Sequence, residues 1–248
     1  MRFFIVDAFT DRAFAGNSAG VVLLDEPADP AWMQAVAAEM KHAETAFHVA
    51  ATKSLRWFTP VVEVAFCGHA TLAVTHVLGG EQTYDTKSGE LRATAKDGWV
   101  ELDFPSDPPR PTDDDLSEIL PGVDIEYTGR GAENLFAVVK DAETVRTLEP
   151  DLDKLKHTWT GRLLVTAQSD KTDYVSRFFA PGIGIDEDPV TGSAHCILSP
   201  YWSERLNEKE LTGEQASARG GLVRTRQDGD RVHLTGQAVT VLSGELHV

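Results

Sequence analysis

Apolar positions along the chain recur with two different periods. Short runs rich in β-branched and aromatic residues, "RFFIVDAF", "GVVLL", "ETAFHVA" and "LRWFTP", predict strands, punctuated by turn-rich stretches such as "TDRAFAGNSAG". "DPAWMQAVAAEM" changes to helical spacing, with Asp29 placed to cap it and Pro30 at the first helical position. "EVAFCGHATLAVTHVL" passes from strand into helix at Cys67–His69. Beyond it, "GEQTYDTKSGELRATAKDGWVELDFPS" predicts hairpins turned at Ser-Gly and Asp-Gly. "SDPPRPTDDD" is the best linker candidate, and "PTDDDLSEIL" predicts a solvated helix start, because Asp favours caps and first turns.

The pattern also repeats. "RWFTP" at Arg56–Pro60 returns as "RFFAP" at Arg177–Pro181. Eleven residues on from each Arg stand Cys67 and Asp188, and each opens a small-residue stretch that turns apolar, "CGHATLAV" and "DPVTGSAHCIL". "GNSAGVVLLD" and "ENLFAVVKD" match in the same order, each setting an Asn (Asn17, Asn134) before a β-branched strand. Two matches in order, at similar offsets, predict a duplicated α+β fold. Its similar halves would face each other, with Cys67 and Asp188 at equivalent helix N-termini pointing into the cleft between them.

Composition narrows the function classes. A chain of 248 residues suits one large domain or two small ones. With 39 acidic against 23 basic residues, a formal charge of −16 and no basic patch, the chain is a poor match for nucleic acid. The apolar stretch of "MRFFIVDAFTDRAF" is too short for a signal peptide and no run reaches membrane-spanning length, so a soluble, cytoplasmic protein without a membrane partner is expected. Cys67 and Cys196 are the only cysteines, too few for a disulfide scaffold. With His42, His48 and His69 they fit no zinc-finger spacing, and no metal is expected.

The candidate chemistry clusters at the two helix starts. A helix N-terminus presents unpaired N–H groups and partial positive charge, so two facing one cleft would clamp a carboxylate or a developing enolate. Gly68 and Gly192, with small neighbours such as Ser193, permit close approach of a substrate; the plain alternative for "TGSA" is an ordinary capped turn. Cys67 at a helix N-terminus should ionise more readily than a free thiol, or else simply pack there. His69 lies two residues on, and helical positions i and i+2 do not face each other, which argues against a Cys–His nucleophilic pair. Glu44 begins a strand directly after a helix, and by pattern alone it does not stand out from other acidic residues.

Together "DAFTDRAFAGNSAGVVL", "ETAFHV", "CGHATLA" and "EDPVTGSAHC" resemble the phenazine-biosynthesis PhzF-like family, of the diaminopimelate epimerase and proline racemase superfamily. The matches run in order from the first strand to "GQAVTVLSGEL". The resemblance implies two pseudo-symmetric domains, 1–112 and 113–248, each a curled β-sheet around a central helix, with the active site in the interdomain cleft. Related epimerases and racemases carry a cysteine at both cleft helix N-termini. Here the second position is matched by Asp188, which removes the paired-thiol mechanism. PhzF-like isomerases use a glutamate, matching Glu44, as base and then acid, without metal or organic cofactor. By the same resemblance His69, Asp188 and Ser193 orient the substrate and relay protons, Gly68 and Gly192 lend N–H groups, and Asn17 lies near the substrate. PhzF itself has a small residue where Cys67 stands, so Cys67 is a binding group, a second acid or a spectator.

The expectation is thus a cofactor-independent isomerase of a small anionic, carboxylate-bearing metabolite, working as a homodimer by family likeness. The alternatives are a one-thiol epimerase or racemase using Cys67 opposite Asp188, and a binding protein that kept the site and lost the chemistry.

Overall fold

Residues that alternate along the chain are buried on opposite faces of its strands, which accounts for the near-continuous apolar runs in the sequence. The computed structural model describes residues 1–247. It contains two compact units, Met1–Phe104 together with the chain from His233, and Pro105–Val232.

The first unit is built from β1 (Arg2–Ala8), β2 (Asn17–Leu24), α1 (Pro30–Met40), β3 (Glu44–Val49), β4 (Ser54–Phe58), β5 (Glu63–Val64), α2 (Gly68–Leu78), β6 (Gly80–Thr86), β7 (Gly89–Lys96) and β8 (Trp99–Pro105). The second contains β9 (Arg110–Pro111), β10 (Ile125–Arg130), β11 (Leu135–Val139), α3 (Ala142–Thr147), α4 (Leu152–Lys156), β12 (Leu163–Gln168), β13 (Tyr174–Ala180), β14 (Ile185–Asp188), α5 (Gly192–Leu206), β15 (Glu210–Gln215) and β16 (Gly221–Asp228). Two last strands follow, β17 (Arg231–Gly236) and β18 (Ala238–Glu245).

Strand pairing repeats between the units. In the first, β1–β2 is antiparallel, β2–β3 parallel, β3–β4 antiparallel, β4–β6 parallel and β6–β7 antiparallel. In the second, β10–β11 is antiparallel, β11–β12 parallel, β12–β13 antiparallel, β13–β15 parallel and β15–β16 antiparallel. The anticipated Asn pair falls into place, since Asn17 opens β2 and Asn134 immediately precedes β11.

In the second unit helices pack on both faces of the strands. Alternate residues Leu135, Ala137 and Val139 of β11 join a core with Val145 of α3 and Leu155 of α4, while Phe136 and Val138 join Ala194, Ile197 and Leu198 of α5. In the first unit Val22 and Phe47 pack with Met33, Val36 and Ala37 of α1. The central helix α2 is buried continuously from Gly68 to Thr75. A helix apolar on all sides needs a sheet wrapped round it. Its threonines are accommodated because Thr71 and Thr75 donate to the carbonyls of Cys67 and Thr71, at 2.6 and 2.8 Å.

Two expectations change. The division into 1–112 and 113–248 becomes a first unit that recovers the chain's end, because β18 lies antiparallel along β1 from Arg2↔Glu245 to Ala8↔Ala238. That pairing satisfies a β1 edge that would otherwise be open. The acidic stretch "PTDDDLSEIL" starts no helix. Asp114 accepts a two-pronged hydrogen bond from Arg130, and Leu116, Ile119 and Leu120 are drawn into the second unit's core. Tertiary partners outweigh the capping preference.

Candidate active site

Helix ends distinguish framework from site. The helices α1, α3 and α4 start at Asp29, Asp141 and Asp151, whose carboxylates accept from first-turn N–H groups at 2.8, 2.8 and 2.9 Å. The central helices α2 and α5 start at Cys67 and Thr191, and neither side chain caps its helix. Their first turns therefore keep N–H groups of the kind that bind anions.

At α2 three candidates meet. The Oε2 of Glu44, on the first residue of β3, lies 3.3 Å from Nε2 of His69. That nitrogen is buried and makes no aligned hydrogen bond, while the Glu44 side chain is 14% exposed. On the other side of the ring, Asn17 Nδ2 donates to His69 Nδ1 at 3.3 Å. An amide NH2 only donates, so Nδ1 accepts and the ring proton sits on Nε2, toward Glu44. Burial, and secondarily the nearby His42, push the His69 pKa down to about 3, so the ring is neutral at ordinary pH.

Asn17 is placed by the loop that leads to it. The buried Asp7 carboxylate accepts from the Phe14 N–H at 2.7 Å. Gly16 takes φ +62°, and a Cβ there would meet the Ala8 carbonyl at 2.1 Å.

Cys67 departs from expectation. Its backbone is extended, at φ −151° and ψ 109°, so the i, i+2 rule for helices does not govern it. Its Sγ lies 3.5 Å from His69 Nδ1, and thiol and imidazole are in contact. Donor atoms of Glu44, Cys67 and His69 all fall within 4.8 Å of one another, the one group among the described residues with the geometry to hold a metal ion. A carboxylate, thiolate and imidazole suit zinc as ligand types.

The second unit corrects the register of the repeat. Arg56 makes a two-pronged pair with Glu63 at 2.7 and 2.8 Å, and Arg177 makes the same pair with Glu187 at 2.7 and 2.9 Å. The Arg–Glu separation is 7 residues in the first copy and 10 in the second. A short 3-10 turn at Pro181–Ile183 lies within the longer span. Four residues beyond each Glu come Cys67 and Thr191, the two N-caps. The counterpart of Cys67 is therefore Thr191, and Asp188 ends β14 ahead of the helix. Aligning "CGHA" with "TGSA", rather than counting from Arg, carries that signal.

Asp188 Oδ2 accepts from Thr191 Oγ1 at 2.5 Å. Gly192 and Ser193 form the first turn of α5, as Gly68 and His69 do in α2. Behind the turn lies a buried network with no sequence signature. Gln215 bonds Thr191 and Asp188, and Tyr174 OH sits 2.9 Å from His195 Nδ1. Burial pushes His195 down to about 3 and the Cys196 thiol up to about 12, so neither is a ready acid or base.

Comparison with known proteins gives the family and the fold. A family model described as phenazine biosynthesis-like protein matches residues 6–244. An uncharacterised isomerase of Halalkalibacterium halodurans is 45% identical, over 98% of this chain and 97% of its own length. The crystal structure of a PhzF-family phenazine biosynthesis protein from Enterococcus faecalis matches with a TM-score of 0.95 at 39% identity, covering 100% and 99% of the two chains. A hydroxyproline epimerase from Agrobacterium vitis, 12% identical with a TM-score of 0.64 over 98% and 91%, shares the fold alone. The fold is that of the epimerases and racemases. This chain belongs to the phenazine biosynthesis-like family.

Proposed function

We propose that the protein is an isomerase that moves a proton within a small carboxylate-bearing metabolite, with Glu44 taking the proton and returning it elsewhere on the molecule. The observation that carries this reading is the approach of Glu44 Oε2 to the protonated Nε2 of a neutral His69, at 3.3 Å. With its pKa near 3 and Nδ1 accepting from Asn17, His69 is a poor base at ordinary pH. Glu44 is the basic group left at this helix start, with the neutral His69 ring beside it.

The proton leaves a carbon next to an unsaturated or carbonyl system, whose negative charge spreads over the conjugated group. Uncapped N–H groups at the start of α2 favour that charge. Glu44, then protonated, delivers the proton to the new position, which closes the cycle without an organic cofactor. In the second unit, the uncapped N–H groups at the start of α5, at Gly192 and Ser193, are suited to binding an anion.

The test is deuterium incorporation. Small unsaturated and α-chiral carboxylates are incubated with the protein in D2O and followed by NMR. The expected result is deuterium uptake with a displaced double bond, absent in Glu44→Gln although that variant keeps the wild-type circular dichroism spectrum. Wild-type turnover by Glu44→Gln overturns the base assignment. A second reading, a one-thiol epimerase, draws on the Cys67 Sγ contact with His69 Nδ1. It predicts exchange at one α-carbon with loss of chirality and no double-bond shift.

A further inference from the structure

We infer that Gln215 is a positioning residue that holds the Asp188–Thr191 turn so that the first-turn N–H groups of α5 stay open to an anion. This rests on the reading that the α5 turn binds an anion. Gln215 is the last residue of β15, fully buried, and paired in register with Ser176 of β13. Its strand is held close because Gly213 leaves room for the Tyr174 ring, which a Cβ would meet at 2.1 Å.

The amide works at both ends. Its Oε1 accepts from Thr191 N–H at 2.8 Å. Its Nε2 donates to the Asp188 carbonyl at 2.7 Å and lies 3.2 Å from Thr191 Oγ1. The Thr191 hydroxyl itself donates to Asp188 Oδ2 at 2.5 Å. A threonine at an N-cap ordinarily turns its oxygen onto the first-turn N–H groups. Here the hydroxyl is held by Asp188 and Gln215 and does not cap α5.

Two donors and one acceptor are used at this position, and a carboxamide supplies all three. A leucine supplies none. An ionised glutamate supplies two acceptors and sets a negative charge against the Asp188 carbonyl. The titratable groups that face it are the Asp188 carboxyl and the buried His195 imidazole, which Gln215 also touches. A protonated glutamate restores one donor and one acceptor. The Glu variant should therefore regain function as the pH is lowered, which a purely structural role would not produce.

Malonate, a small dicarboxylate, serves as the probe, with the Gly192 and Ser193 amide signals of 15N-labelled protein as the readout. In the wild type these signals shift saturably. Gln215→Leu weakens malonate binding about tenfold, the effect of losing one or two buried hydrogen bonds. Gln215→Glu shows the same defect at pH 7.5 and recovers toward the wild type at pH 5, each compared with the wild type at that pH. Dispersed amide spectra establish that the variants are folded. Wild-type binding by Gln215→Glu at both pH values overturns the positioning role while leaving the anion reading intact. Wild-type amides that ignore malonate overturn both, without touching the Glu44 assignment, which the deuterium experiment tests.

Discussion

At the start of α2, Cys67-Gly68-His69 brings a thiol and a neutral imidazole beside the carboxylate of Glu44. At the start of α5, Thr191-Gly192-Ser193 brings hydroxyls, and the nearby Asp188 carboxylate accepts from Thr191. The frames behind them are alike down to the Arg–Glu pair and the arginine stacked on an aromatic ring, Arg56 over Phe58 at 5.3 Å and Arg177 over Phe179 at 4.8 Å. Duplication kept what determines backbone shape and let the side chains at the helix start diverge. One copy sets a thiol, an imidazole and a carboxylate at its helix start, and the other sets hydroxyls in a turn braced by Asp188 and Gln215.

The sharpest way to break this contrast is at Glu44. Glu44→Gln should lower kcat by about 10^3-fold or more, within the range for loss of a general base, with little change in melting temperature. Equal losses from Ser193→Ala and Glu44→Gln in kcat would erase the division of labour.

The two arginine braces provide the next test. Arg177 also donates to the Leu148 carbonyl at 2.7 Å, a bond that Arg56 lacks, and Glu63 retains Lys87 as a second partner at 2.5 Å. Arg177→Ala should cost about 3 kcal/mol in urea unfolding and Arg56→Ala about 1 kcal/mol, since the former strands more buried groups. Equal costs would mean that the extra carbonyl bond contributes nothing.

Acid behaviour compares the buried imidazoles. Burial holds His69 and His195 near pKa 3 against an ordinary 6.5, so the unfolded chain binds protons that the folded chain refuses. Their contribution is present in full above pH 6.5 and is lost as pH falls toward 3. Between about pH 6.5 and 5, before carboxylates titrate, unfolding free energy should decline with acidification. His69→Gln and His195→Gln should each remove close to one proton from that slope near pH 5, measured by chemical unfolding. An unchanged slope in either variant would mean that its imidazole is protonated in the folded state.

The smallest effect is expected at the most conspicuous residue. Cys67→Ser should change kcat by less than about threefold, because proton transfer is assigned to Glu44 and serine still fits the N-cap. A loss of about 10^2-fold would transfer the chemistry to the thiol and favour the epimerase reading.

Much of the frame was legible in the sequence. Asp29 and Pro30 announced α1, the Ser-Gly and Asp-Gly pairs announced the β6–β7–β8 hairpins, and the repeated Arg-aromatic-Phe motifs announced the duplication. These signals are local, or repeat a local pattern, and the backbone follows them wherever they fall. Counting from Arg misplaces the register of the repeat, because the extra residues of the second copy lie between Arg177 and Glu187. The acidic run at Asp113–Asp115 starts no helix because its cap preference competes with an Arg130 partner that sequence spacing does not reveal.

Alternation, capping residues and the internal repeat by themselves pointed to a duplicated α+β protein with a helix following each of the small-residue stretches "CGHATLAV" and "DPVTGSAHCIL". Tertiary structure alone decided which groups touch. It set Glu44 and Asn17 on opposite nitrogens of one imidazole, turned Cys67 toward that same ring, tied Thr191 to Asp188 and Gln215, and returned the last strand to the first. The physical reason is that such contacts join residues far apart in the chain. Their geometry depends on sheet register and loop length, which no local pattern encodes.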